Sequence, residues 1–407
     1  MVHMNVFHRF FPVRALCRSR YLFAALLILL LVVLHLITGV GIFTPSPYNT
    51  YTIQAMAWRE GRMHLPYDIP HLELAIFENR YYVSFPPVPS VPVFFLTFLF
   101  GYNVPDGLLI KAYALIAFLS LVRTLRKEGW KEASAAAAAF LLCTASSMLP
   151  LLMTGAVWYQ AQVMAFMLTV LAMEGMQADK TTWGLFCYAL SVGCRPFNAL
   201  YGPLLIALFL HRQSGHERIL VTIKKLLPGI VLGLCVAAAY AWYNWARFGN
   251  PLEFGHNHLP EFSFQGGTQF SLRHVPKNAA TFLWGLPFSI EGRAVKLKQF
   301  GFSLFLSNPV LLCMLGWVLR DGWCRRLAPS KLLVLGIFLL HLLLLLCHRT
   351  FGGYQYGARY AIDLIPYSVF YLLCDREATA CKRPCIIVMV LGLCMAVWGS
   401  LTILLPF

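Results

Sequence analysis

Tyr21-Leu-Phe-Ala-Ala-Leu-Leu-Ile-Leu-Leu-Leu-Val-Val-Leu-His-Leu-Ile-Thr-Gly-Val-Gly-Ile42 is the stretch that decides the fold. It carries no acidic residue, Lys or Arg over about 22 residues, and at roughly 1.5 Å per helical residue that covers the ~30 Å hydrocarbon layer of a bilayer. Arg9, Arg14, Arg18 and Arg20 precede it, as basic residues precede the apolar run of a signal peptide, but no small-residue cleavage pattern follows. The segment reads as an uncleaved anchor with the N-terminus cytoplasmic.

The rest of the chain continues in the same character. Of 407 residues, 59% are hydrophobic and only 12% are charged, and the mean hydropathy is +0.65. Ordinary soluble domains do not reach such values. The formal charge of +16 raises the question of nucleic acid. Its distribution excludes that partner, because the cations gather in short connections: Arg123, Arg126, Lys127 and Lys131; Arg212, Arg218, Lys224 and Lys225; Arg320, Arg325, Arg326 and Lys331; Arg376, Lys382 and Arg383. Such clustering marks cytoplasmic connections and leaves the intervening loops external. The 12 cysteines fall in apolar runs or near the basic connections and not in the long external loops, which argues against a disulfide scaffold or a paired-cysteine zinc site.

Span length and charge asymmetry predict an all-α polytopic membrane protein with about eleven transmembrane helices, from Tyr21–Phe43 to Pro384–Leu405. The apolar piece Val91–Gly101 is too short to span and reads as a re-entrant or interfacial helix, with the second span near Pro105–Val122. The chain is a single membrane domain, 1–407, with two large external loops, 44–105 and 247–300, that carry short interfacial helices. No duplicated halves are visible. A corner at Cys194-Arg-Pro-Phe-Asn198 places proline and polar backbone between two short spans, which is tolerated at depth only inside protein or along a wet cavity.

The first loop opens with Ser46-Pro-Tyr-Asn-Thr-Tyr51 and closes with Asn79-Arg-Tyr-Tyr-Val-Ser-Phe-Pro-Pro-Val-Pro89. A loop this long and rich in Tyr, Pro and carboxylates is more than a connection. Further along lie Thr154-Gly-Ala-Val-Trp-Tyr159, Gly193-Cys-Arg-Pro196, Tyr243-Asn-Trp-Ala-Arg-Phe-Gly-Asn-Pro-Leu-Glu-Phe-Gly255 and Gly352-Gly-Tyr-Gln-Tyr-Gly-Ala-Arg-Tyr360 followed by Pro366. In this order, from Tyr48 to Pro366, the elements resemble the GT-C superfamily of integral membrane glycosyltransferases, which includes protein mannosyltransferases and lipid A aminoarabinose transferases.

The resemblance implies a glycosyltransferase that moves a hexose or pentose from a polyprenyl-phosphate donor to a lipid, glycan or protein acceptor at the external face. It also implies a bacterial inner membrane. Such a reaction needs a base for the acceptor hydroxyl and cations for the departing phosphate. Many relatives carry an acidic residue just after the first span. Here that stretch is Pro47-Tyr-Asn-Thr50, and Asn49 cannot act as a base.

The first-loop carboxylates that remain make Glu73, in the apolar setting His71-Leu-Glu-Leu-Ala75, the expected base, with Asp68 second. The competing reading is an ordinary solvated carboxylate. Arg359 is expected to bind the donor phosphate, supported by Arg195 and Arg349, since a guanidinium fork matches phosphate oxygens and keeps its charge. Interfacial anchoring is the alternative for these arginines. Tyr48, Asn49, Tyr51, Tyr82 and Tyr354 are expected to contact the sugar or the acceptor, the aromatic ones also serving as headgroup anchors. His256, His258 and Glu261 lack the spacing of a metal site, so no metal or other cofactor is assigned. Two other classes compete: a transporter or flippase of lipid-linked sugars, and a GT-C-like envelope protein that has lost catalysis, the latter prompted by Asn49.

Overall fold

The computed structural model describes residues 19–213, 219–263, 269–291, 294–350, 352–374 and 383–405. Arg9, Arg14, Arg18, Cys17, Arg218, Arg376, Cys381 and Lys382 lie outside them.

The apolar run at the N-terminus forms α1, Ser19–Thr38, whose helical hydrogen bonds satisfy the backbone inside a hydrocarbon layer while the side chains from Leu22 to Leu34 are all apolar. Then come α2, Thr50–Arg59; the strands β1, Leu74–Phe77, and β2, Arg80–Val83; α3, Ser90–Phe100; α4, Asp106–Lys127; α5, Glu132–Thr144; α6, Val157–Gln177; α7, Thr181–Val192; and α8, Gly202–Arg212. The second half contains α9, Ile219–Phe248; α10, Val275–Trp284; β3, Phe288–Glu291; β4, Ala294–Leu297; α11, Val310–Trp323; α12, Pro329–Cys347; α13, Ile365–Leu373; and α14, Arg383–Leu404.

A helix stands at each position where a span was expected. Five of them, α1, α4, α9, α12 and α14, are long and apolar enough to cross a membrane. The chain is an all-helical integral membrane protein with two small hairpins.

The centre is α6. Most of its residues are buried, and it packs against α4, α7 and α8. Two glycines set its distance from α7: a Cβ on Gly175 would lie 2.8 Å from Gly184 Cα. At the end where the basic connections lie, Glu174 of α6 accepts from Arg123 Nε (2.6 Å) and Nη2 (2.9 Å) and from Ser120 Oγ (2.6 Å) of α4. On the other side, α11, α12 and α13 share the buried Asp321, which accepts from Lys331 Nζ at 2.8 Å and from Tyr371 OH at 2.9 Å. These charges satisfy one another, which makes them braces rather than a substrate path.

The opposite end carries the loops. In the first, β1 and β2 pair antiparallel across Glu78 and Asn79, which both have positive φ (48° and 59°), as a two-residue hairpin turn requires. The sequence reading missed this hairpin. The expected short helix is α3: its 11 residues span about 16 Å, half a bilayer. It buries Ser90, Val93 and Thr97 and exposes Phe95, Phe98 and Leu99, an apolar outer face. It stops at Gly101, where φ is 55°.

Candidate active site

One cavity of roughly 750 Å3 opens among the loops. Four pieces of chain build it: the first loop, the start of α6, the corner after α7, and the segment between α12 and α13, with the second loop closing one side.

The carboxylate comes from the first loop. A short 3-10 turn, Pro70–Leu72, ends at Glu73, which adopts a left-handed conformation (φ 53°, ψ 58°) before entering β1. That conformation costs a non-glycine residue on the order of 1 kcal/mol. Two bonds hold it: Ser84 Oγ donates to Glu73 O at 3.1 Å, and Trp158 Nε1 donates to Glu73 Oε2 at 3.0 Å. The Trp158 ring lies 5.0 Å from Tyr48 and 6.3 Å, edge-on, from Phe85. The start of α6 has room for this because Gly155 has no side chain: a Cβ there would sit 2.1 Å from Asp106 Cβ. Asp106 itself is buried at the head of α4 and accepts from Gln160 Nε2 at 2.7 Å.

The cations lie opposite. Arg359 opens a 3-10 turn, Arg359–Leu364, that leads into α13, and it is only 5% exposed although it lines the cavity. Its Nε donates to Gln355 Oε1 at 3.0 Å, and its guanidinium lies 5.4 Å from the Tyr159 ring centre and 5.0 Å from that of Tyr360. Gly352 (φ 97°) gives it space, since a Cβ would approach Arg359 Nη2 to 2.7 Å. Among the described residues no carboxylate pairs with Arg359.

Arg195 differs. It lines the cavity from an extended backbone (φ −141°), but its Nε and Nη2 donate to Asp363 Oδ2 at 2.9 and 2.7 Å. Gln162 Nε2 reaches both Asp363 Oδ1 (3.2 Å) and Arg359 O (2.9 Å), and Tyr201 OH donates to Asp363 O. This network ties the corner, α6 and the Arg359 turn together. Asp363→Asn is expected to cost about 2–3 kcal/mol of stability, below the 3–5 kcal/mol of a fully buried pair because the Arg195 side chain is 25% exposed. Denaturation in detergent checks this, with Arg195→Met/Asp363→Leu expected to recover most of the loss.

Two imidazoles line the same wall. Desolvation pushes His348 down to about 4, reinforced by His256, Arg195 and His274 and opposed by its hydrogen bond to Thr350 O. His256 is lowered mainly by desolvation, with the Ser84 backbone bond opposing and Arg195 adding. Both are neutral at pH 7. An unfolded His348 binds its proton near pH 6.5, whereas the folded one resists down to about 4. Stability is therefore lost as pH falls through that window, by about 1–2 kcal/mol after discounting for partial exposure. A pH series of thermal midpoints should show this slope, flattened in His348→Gln.

Of the residues expected from sequence, Glu73, Tyr48, Arg195, Arg359 and Tyr354 meet at this cavity, Tyr354 OH reaching Ile403 O at 3.4 Å. The others do not line it. Asp68 is exposed in the turn before Pro70. Asn49 occupies the N-cap position of α2, its side chain making no capping bond. Tyr51 is buried against Phe85, and Tyr82 packs against Phe248. Arg349 stays at the rim, donating to Glu261 O at 3.3 Å. Arg195 carries an internal counter-charge that the sequence reading did not foresee. That reading also assigned no role to Trp158, Asp363 or His348, and it weighed His256 and Glu261 as metal ligands and set them aside as polar loop residues. His258 stacks on Phe248 while His256 meets Phe85. Among the described residues no group of three His, Cys, Asp or Glu could hold a metal ion.

No family model matches this chain, and no curated protein does. Solved structures give a likeness of chain path. The apo oligosaccharyltransferase of Archaeoglobus fulgidus aligns with a TM-score of 0.49 and 11% identity over 93% of this chain and 55% of that one. ArnT from Cupriavidus metallidurans in the apo state aligns with a TM-score of 0.49 and 13% identity over 94% of this chain and 76% of that one. A third structure, the archaeal oligosaccharyltransferase AglB in complex with an inhibitory peptide and a dolichol-phosphate, aligns at 0.46 and 12% over 93% and 55%. This chain thus spans little more than half the length of the oligosaccharyltransferases. At such identities no residue correspondence carries over.

Proposed function

We propose that this chain is a membrane glycosyltransferase that passes a sugar from a polyprenyl-phosphate donor to an acceptor at the external face of a bacterial inner membrane. In this reading the shorter helices α5, α7, α8, α11 and α13, three of them lengthened by the turns that precede them (Pro196–Tyr201 before α8, Leu304–Ser307 before α11 and Arg359–Leu364 before α13), complete about eleven crossings together with α6, and the loops 44–105 and 247–300 lie outside. The observation that carries the reading is Arg359: a guanidinium that is 5% exposed, faces the same cavity as Glu73 and has no carboxylate partner among the described residues. A desolvated cation without a counter-charge is costly unless an anion arrives. A phosphate supplies it.

The cavity also has the second surface such a donor needs. Phe270, Leu345, Ile403 and Leu404 add apolar lining, Ile403 next to Tyr354, suited to the first units of a polyprenyl chain. Glu73 then takes the proton of the acceptor hydroxyl as its oxygen attacks the sugar's anomeric carbon. The bond to phosphate breaks with its electron pair leaving on the phosphate, held by Arg359. Tyr48 and Trp158 offer ring faces to the sugar.

Purified protein in lipid nanodiscs, given radiolabelled polyprenyl-phosphate sugars and cell-envelope extract as acceptor, should transfer label from at least one donor. Lipid binding with no transfer or hydrolysis of any donor would leave the non-catalytic reading, which Asn49 favours. Label moved across sealed vesicles without a new bond would establish the flippase.

A further inference from the structure

The second loop breaks the charge pattern that the rest of the chain follows. Between Ser271 and Phe300 the sequence holds Arg273, Lys277, Arg293, Lys296 and Lys298 against the single acid Glu291. Yet this segment sits at the end of the bundle opposite the basic connections: Ser271 N donates to Cys347 O at 2.9 Å and Asn278 Nδ2 to Leu346 O at 2.8 Å, at the last turn of α12. Cations on that side do not serve orientation, so they need another partner.

An apolar stripe accompanies them. Every second residue from Trp284 to Ile290 is large, apolar and exposed, Trp284 and Ile290 by 78% and 77%, with Leu286 and Phe288 between them. Pro287 is buried, and Gly285 and Ser289 are half-buried. This period of two aligns Leu286, Phe288 and Ile290 on one side of the extended chain that runs from the end of α10 into β3. On β4, Leu297 pairs with Phe288 and is buried, which fixes the hairpin to the core, while Lys296 and Lys298 on either side of it are exposed. Lys296 pairs with Ser289, so the lysines turn to the face opposite Phe288 and Ile290. None of these side chains lines the cavity.

The hairpin's seat tells what covers it. Ser303, which caps the turn before α11, donates from N to Gly285 O at 2.9 Å and from Oγ to Leu283 O at 3.0 Å. The Phe300 ring lies 6.2 Å, edge-on, from that of Tyr354, whose OH donates to Ile403 O at the end of α14. The segment is thus tied to the loop ends of α11, α12 and α14, and α12 and α14 are long and apolar enough to cross a membrane. That is the level at which hydrocarbon gives way to headgroups.

We propose that the segment from Trp284 to Lys298 docks into the leaflet at the loop end of the bundle, with Trp284, Leu286, Phe288 and Ile290 among the acyl chains and Lys296 and Lys298 on the phosphates of anionic phospholipid. Apolar and cationic faces on one short element are what an interfacial segment needs, and the lysine stems reach the headgroups past the apolar side. This goes beyond the transferase reading and does not depend on it. It does bear on the same wall, because Gln355, which holds Arg359, donates from its N to Gln299 O at 2.7 Å, one residue after Lys298.

The full chain in nanodiscs of phosphatidylcholine and phosphatidylglycerol tests the docking without reference to activity. p-Benzoylphenylalanine placed at Trp284 or Ile290, both exposed, should on irradiation give adducts heavier by the mass of one phospholipid. The same group at Glu78, at the polar tip of the β1–β2 hairpin, should give none. Adducts at Ile290 should hold phosphatidylglycerol above its share of the bilayer, and Lys298→Gln should cut that excess about fivefold, as one charge worth about 1 kcal/mol near an anionic surface implies. A cross-linked dimer would make this face an interface between copies and overturn the proposal, as would the absence of lipid adducts at both positions or equal capture at Glu78. Lipid adducts with no excess of phosphatidylglycerol, or an excess that Lys298→Gln leaves intact, would overturn the part assigned to the lysines.

Discussion

Replacing Arg359 by Ala is expected to lower kcat/KM for the donor by about 10³-fold, near 4 kcal/mol of transition-state stabilisation. The size follows from where the charge sits. Arg359 is 5% exposed, so its field at the cavity is little screened by water, and among the described residues no carboxylate offsets it. Charge builds on the phosphate as its bond to the sugar breaks, and a guanidinium fixed by Gln355 meets that charge without reorganising. Lysine should recover little, since a point charge can neither grip two phosphate oxygens nor lie between the Tyr159 and Tyr360 rings as the planar group does. Steady-state kinetics with a purified donor decide the matter. A loss below about tenfold would place the phosphate elsewhere.

Glu73→Gln is the second large effect, a fall in kcat of about 10³-fold with KM changed little, in the usual range for removing a general base. The substitution preserves shape and retains an acceptor oxygen for Trp158, so binding should survive while proton transfer does not. The left-handed backbone at Glu73 (φ 53°) gives a second signature. Glutamine carries the same strain, whereas Glu73→Gly relieves it, so the glycine variant should be equally inactive yet at least as stable, by up to about 1 kcal/mol. A stable, fully active Glu73→Gln would remove this base. Asp68→Asn should leave the rate near wild type, because Asp68 stands in an exposed turn outside the cavity.

The difference between Glu73 and Asp68 shows how far one sequence reaches. Both are first-loop carboxylates, and composition ranks them only by their apolar neighbours. The β1–β2 hairpin separates them. By pairing Leu74 with Val83 it brings Glu73 beside Ser84, while Trp158 arrives from α6 to bond its carboxylate. The hairpin's signal, Glu78-Asn79 between apolar strands, was present but short.

The sequence by itself determined the class of protein, the place of every helix expected to span, the short helix at Ser90–Phe100 and the basic end of the bundle. These follow from local composition: a run of apolar residues must satisfy its backbone as a helix in hydrocarbon wherever its neighbours go. It also pointed to Glu73, Arg195 and Arg359, each beside a break in an apolar pattern. Only the tertiary structure decided that Arg359 stands without a carboxylate partner among the described residues while Arg195 is balanced by Asp363, that Asn49 sits at the head of α2 outside the cavity lining, and that Trp158 meets Glu73 there. Charge balance and cavity lining are sums over residues brought together from distant parts of the chain. No window of sequence contains them.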